Sequence, residues 1–308
     1  MLFGMSYMFG LTGTTYFAEL LPALQKMLGN PAAIVAIAMV MGGFFFKLAV
    51  FPFHFWAPDV YQGASNETTA FIASVPKVAA VAMLIRIATM IAPGENALVM
   101  MFAAFSICAM FYGNIIALVQ TDFKRMLGFS GIAHGGYVLL GFVTLQESGF
   151  AISLYYVIGY LVMSIAGLLV VCKVSQNGEN VLIEDLNGLY KRSPLLAFTL
   201  AVSMFAMAGI PPFVGFMGKF MLLTGAYKAG HLILVVLAVV NTAISIYYYL
   251  SVVRVTYSSS DDVRPLLALD ATTKAVSVVL VVIIITLGVM PDKIIQFATE
   301  AMHSIPVQ

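Results

Sequence analysis

Charge is scarce in this sequence. Its 308 residues carry 15 Lys and Arg against 14 Asp and Glu, 9% charged in all, with a net charge of +1. A soluble domain carries about 25% charged residues. With 61% hydrophobic residues and a mean hydropathy of +0.99, the chain is excluded from the water-soluble globular class. It has no basic patch with interleaved aromatics, which argues against nucleic acid as a partner. Its two cysteines, Cys108 and Cys172, lie in or at the end of apolar blocks without CxxC spacing or a histidine cluster. They read as small buried hydrophobes and imply no iron–sulfur or zinc site. Nucleotide motifs are also missing. Gly215-Phe216-Met217-Gly218-Lys219-Phe220 faintly suggests a phosphate loop, but Phe213 stands where the first glycine belongs and Phe220 replaces Ser or Thr. No GxGxxG follows a strand, so no NADH, flavin or ATP is expected in this chain.

What is present is a series of apolar blocks, at about 1–11, 31–51, 68–92, 97–119, 131–146, 150–172, 195–227, 232–256 and 275–290. Most suffice to cross a hydrocarbon layer of about 30 Å at 1.5 Å per residue. Runs such as Leu232 to Val240 do not alternate as barrel strands would. The expected fold class is therefore all-α, a polytopic transmembrane helix bundle of about nine spans. The first block is too short to span, has no basic stretch before it and no cleavage pattern after it. It reads as the tail of a helix, and the sequence as the C-terminal part of a longer chain or a shortened version of one.

Lys and Arg sort the loops into two sets. One holds Lys124, Arg125, Lys173, Lys191, Arg192, Arg254, Arg264 and Lys274; the other holds Lys26, Lys228 and Lys293. The richer set is expected on the cytoplasmic side.

Four basic residues remain inside apolar blocks: Lys47, Lys77, Arg86 and Lys219. A charge at the bilayer centre costs from about 3 to more than 10 kcal/mol, so such groups face a cavity, a partner or a water path. No acidic residue lies well inside a block to pair with them. Arg86, about six residues from the end of its block, is placed to snorkel to the interface. Lys77 is too deep for that. Lys47 precedes Phe51-Pro52-Phe53-His54-Phe55-Trp56-Ala57-Pro58, where Pro52 breaks the helix and frees carbonyls near Leu48. Lys219 follows Gly209-Ile210-Pro211-Pro212-Phe213, which interrupts a block too long for one straight span. Two Pro-interrupted segments are the sign of repeated transporter halves with ion sites at the breaks; ordinary kinked packing is the plainer alternative. His134 and His54 read either as hydrogen-bonded structural groups or as proton-exchanging ones. A lysine in a dry bundle holds or releases a proton as neighbouring charges change, so several at middle depth make a relay.

The stretch Phe46 to Ala64, with Pro58-Asp59-Val60-Tyr61, closely resembles the signature of the subunit N family of respiratory NADH:quinone oxidoreductase, complex I. Thr121 to Leu127 with Ser130 to Gly141, and Ala208 to Phe220, resemble that family's further signatures. The likeness runs through essentially the whole chain. It implies an antiporter-like fold with two inverted repeats, each holding one discontinuous helix. The first repeat would be represented by 1–92 (a partial span at 1–11, a broken helix over 31–62 and a span over 68–92). The second would occupy 97–257, with its broken helix at 195–227, and a last span and tail 275–308. Lys47, Lys77 and Lys219 then correspond to the lysine of the first broken helix, the central connecting lysine and the lysine of the second broken helix, with His134 feeding the relay. Family members have about fourteen spans, and the part absent here normally carries the glutamate that pairs with the lysine at position 47. The implied function is proton translocation in the membrane arm beside other membrane subunits, in the bacterial inner membrane. NADH, FMN, iron–sulfur clusters and quinone would sit in partner subunits. A subunit of a multisubunit sodium/proton (Mrp-like) antiporter and a structural fragment without transport activity are the rival readings.

Overall fold

The computed structural model describes residues 1–27, 29–89, 96–175, 178–258 and 265–303. Arg264, residues 90–92 of the third apolar block and the tail 304–308 lie outside the described residues. Fourteen α-helices are described: α1 Leu2–Thr12, α2 Phe17–Lys26, α3 Pro31–Leu48, α4 Trp56–Gly63, α5 Asn66–Ala88, α6 Asn96–Ala117 and α7 Phe123–Phe142. They continue with α8 Glu147–Val174, α9 Leu189–Arg192, α10 Pro194–Ala208, α11 Val214–Lys228, α12 Leu232–Tyr257, α13 Ala271–Val289 and α14 Asp292–His303. Six of these, α3, α5, α6, α8, α12 and α13, are long and apolar enough to cross a membrane. The protein is a multi-pass membrane protein.

Local chemistry sets the helix ends. Asn30 caps α3 by accepting from the amide of Ala32, with Pro31 at the first helical position; Ser65 accepts from Thr68 at α5, and Asp270 from Thr273 at α13. Each satisfies an amide that the helix leaves open. Asp122 does the same for α7, accepting from Arg125 at 2.8 Å. Helix α7 therefore starts well before the apolar block at 131, and Lys124 and Arg125 belong to its first turn rather than to a loop.

Helix α7 is the axis of the bundle. All of its residues except Arg125 are buried, against α4, α5, α6, α8 and α11. A helix covered by protein on every side needs no lipid-facing stripe, which is why five glycines and a histidine are tolerated in it. Its N-terminal turn holds the end of α4: Lys124 Nζ donates to the carbonyl of Ala64 at 2.7 Å, and Arg125 Nη1 meets Asp59 at 2.6 Å and Gln62 at 3.0 Å.

The segments broken at Pro52 and at Pro211-Pro212 are discontinuous helices of like design, whereas Pro76 lies within the continuous α5. Helix α3 ends at Ala49 in the left-handed region (φ 57°), and α10 ends at Gly209 (φ 86°). The amide of Val50 returns to the carbonyl of Phe45, and that of Ile210 to Phe205, each at 3.0 Å. A cis proline follows in both, Phe51-Pro52 and Pro211-Pro212. Helices α4 and α11 then resume.

The basic end of the bundle is tied together by contacts. Lys173 pairs with Asp270 at 3.4 Å, the amide of Leu267 donates to Arg192, and that of Ile183 to Thr121. Lys124, Arg125, Lys173, Lys191, Arg192 and Lys274 thus share one end.

Candidate functional site

The site lies where α5, α7, α8, α11 and α12 meet. Lys77 comes from the middle of α5 and is 2% exposed. Its Nζ donates to the carbonyl of Gly131 at 3.2 Å and to Tyr160 Oη at 3.4 Å, and stands 4.8 Å from the centre of the Tyr160 ring. Gly131 makes that approach possible, because a Cβ there would fall 2.7 Å from Lys77 Nζ and 2.8 Å from Tyr160 Oη.

Lys219, on α11, is 3% exposed and reaches back across the second break. Its Nζ donates to the carbonyls of Met207 at 3.0 Å and Ala208 at 3.2 Å. The amides of Gly209 and Ile210 already take the carbonyls of Phe205 and Ala206. Of the last four carbonyls of α10, the two left over are those the ammonium meets, so the break creates a cation-accepting end inside the bundle. Lys219 Nζ also lies 4.8 Å above the Tyr137 ring.

His134 sits between the two lysines. Its Nδ1 is 2.7 Å from Tyr156 Oη and its Nε2 3.0 Å from Tyr249 Oη. Tyr249 in turn is hydrogen-bonded to Ser130. A neutral imidazole has one donor and one acceptor nitrogen, so one tyrosine accepts from His134 while the other donates to it. The Tyr160 ring is 4.8 Å and the Tyr137 ring 6.5 Å from the imidazole. The order across the bundle is Lys77, Tyr160, His134, Tyr137, Lys219. Tyr137 donates to the carbonyl of Ala238 at 2.9 Å, with Thr242 at 2.7 Å. Among the described residues no ion pair involves Lys77 or Lys219. Their acceptors are neutral carbonyls and phenols, which bind an ammonium without pinning the charge there.

Lys47 is not part of this cluster, and its expected burial is corrected: it is exposed, on the last turn of α3. The buried stripe of α3 runs through Ile37, Val40, Met41, Phe44, Phe45 and Leu48, and Lys47 falls beside it with the exposed Phe46. Arg86 is half-buried near the end of α5. His54 is buried at the first break, 4.2 Å from the Tyr112 ring and 4.3 Å from Phe55, with neither ring nitrogen hydrogen-bonded. Sequence reasoning missed the tyrosines that join the cluster. The available signal was their recurrence inside apolar blocks, with Tyr156 and Tyr160 one helical turn apart and Tyr137 three residues after His134. Among the described residues no group of three or more His, Cys, Asp or Glu is placed to hold a metal ion.

Residues 1–245 match the family model described as NADH:quinone oxidoreductase/Mrp antiporter, transmembrane. A relative from Opitutus terrae, NADH-quinone oxidoreductase subunit N 2, is 53% identical over 306 residues, covering 99% of this chain and 64% of the relative. The chain thus spans somewhat less than two thirds of the length of the curated relatives it matches. A chain of respiratory complex I from Thermus thermophilus, solved with bound aureothin, is 31% identical with a TM-score of 0.81, covering 96% of this chain and 64% of that one. The Mrp complex from Dietzia sp. shares the fold at a TM-score of 0.87 and 22% identity, over 99% of this chain and 65% of that one.

Proposed function

The chain belongs to the NADH:quinone oxidoreductase/Mrp antiporter transmembrane family, and from that premise we propose that it serves as a proton-translocating membrane-arm subunit of an NADH:quinone oxidoreductase. The observation that carries the reading is the bracket itself: two buried ammonium groups on either side of one histidine, each separated from it by a single tyrosine ring. Lys77 and Lys219 hold and pass the proton, and His134, hydrogen-bonded to Tyr156 and Tyr249, exchanges it between them. Protons enter from the basic end, which faces the cytoplasm of a bacterial inner membrane. Lys47, exposed at the first break and outside this cluster, is assigned to the same relay.

Redox chemistry belongs to partner subunits carrying NADH, FMN, iron–sulfur clusters and quinone. Neighbouring membrane subunits and the lipid bilayer surround this chain, and charge changes in those neighbours shift the lysines between holding and releasing. The curated relative at 53% identity is named for the oxidoreductase, whereas the likeness to the Mrp complex speaks to fold alone. The test is Lys219→Met in the assembled complex. NADH-driven acidification of vesicles should fall severalfold while NADH oxidation with a soluble acceptor persists. Undiminished acidification in an assembled variant contradicts the reading, and sodium-dependent proton flux without NADH favours an antiporter.

A further inference from the structure

Two apolar clefts, one between α10, α12 and α13 and one along the face of α12, share one cation. A cleft of about 460 Å³ is lined by Phe198, Phe205, Phe213, Val253 and Ile285, with Arg254 and Tyr257. A second, of about 430 Å³, runs along one face of α12 and is lined by Ile246, Tyr247, Leu250, Ser251 and again Arg254. Arg254 is exposed in the last turn of α12, at the end of the bundle where Lys173, Lys191 and Arg192 gather. Asp270, a described carboxylate at that end, is already engaged by Lys173 and Thr273. Tyr257 stacks on Tyr190 at 5.9 Å, and Lys191 Nζ lies 5.7 Å from the Tyr190 ring, so a second cation borders the same rim.

From this geometry we propose that the Arg254 clefts form a binding site for one anionic diacyl phospholipid. Each cleft takes an acyl chain, and the phosphate lies against the Arg254 guanidinium within reach of the Ser251 hydroxyl. The chemistry fits a lipid better than a protein helix. A helix offers one continuous ridge, whereas here two separated apolar clefts converge on a planar cation that suits phosphate oxygens. The level is also right, because a cation at the end of a membrane-crossing helix lies with the headgroups, where basic pockets between helices select anionic lipid.

The test is native mass spectrometry of the full chain after delipidation and titration with phosphatidylglycerol or phosphatidylcholine. The chain should retain phosphatidylglycerol selectively, and Arg254→Gln should weaken that retention about fivefold, the effect of one basic group near an anionic lipid. Ala243→Trp, which obstructs the second cleft from an exposed position without changing charge, should weaken it as well. Lys228→Gln, at the opposite end, should leave it unchanged. Equal retention by Arg254→Gln and the parent chain, or equal retention of the two lipids, overturns the proposal. So does a neighbouring subunit's helix found seated in the clefts of the assembled complex.

Discussion

Nδ1 of His134 and the phenolic oxygen of Tyr156 stand 2.7 Å apart, both wholly inside the bundle. The contact fixes which way the imidazole faces and so which nitrogen meets Tyr249. Tyr156→Phe removes the partner and leaves the ring volume. Losing a hydrogen bond of about 1 kcal/mol should slow NADH-driven proton uptake about fivefold in the assembled complex. The melting temperature should fall by only a few degrees, because His134 Nδ1 loses its partner while the phenyl ring still packs against Gly218.

Gly131→Ala should be more damaging to transport than to folding. The new methyl would overlap the Lys77 ammonium and the Tyr160 hydroxyl, and the flexible lysine tip is the group that can give way. Overpacking of this kind costs about 1 to 3 kcal/mol. Proton pumping is expected to fall to a small fraction of the parent rate while the complex still assembles. Pumping at the parent rate would show that the close approach of Lys77 to α7 is not needed.

Gly209→Ala tests the second break. Gly209 holds a left-handed backbone with φ 86°, where a side chain costs about 1 kcal/mol, and a Cβ would lie 3.1 Å from Lys219 Cδ. The melting temperature should drop by a few degrees, as about 1 kcal/mol implies. Transport should drop with it, because the carbonyls of Met207 and Ala208 would shift under the ammonium.

Asp270 gives a pH-dependent prediction away from the membrane interior. Hydrogen bonds from Thr273, aided by Lys173, hold its carboxyl down to about 2 from an ordinary 3.8. A depressed folded value means that the stabilisation is present above 3.8 and disappears as pH falls through about 2. The parent chain should therefore resist heat better than Asp270→Asn above pH 3.8 and lose that advantage toward pH 2. An advantage that stays constant across that range would contradict the assignment.

The helical fold was largely legible in the sequence because lipid leaves few alternatives. The apolar blocks are largely helical in the structure where described, and the chain breaks at Pro52 and at Pro211-Pro212 as expected, whereas Pro76 sits inside the unbroken α5. What sequence could not supply was direction around a helix. Lys47 and Lys77 are both lysines in apolar blocks, yet one lies beside the buried stripe of α3 and faces outward while the other points at α7. That distinction depends on which neighbours cover each helix. The start of α7 was misplaced for a related reason, since a helix buried all round can begin with Lys124 and Arg125 and be rich in glycine. The tyrosines around His134 come from α7, α8 and α12, and only their packing brings them together.

The central claim is that buried lysines carry the proton, and the ratio of protons pumped to electrons transferred from NADH to quinone, measured in vesicles holding the assembled complex with Lys77→Ala, tests it most directly. The account predicts a ratio, or a coupled turnover, well below that of the parent complex at equal subunit content. A ratio and turnover equal to the parent's, in a variant shown to assemble fully, would contradict it.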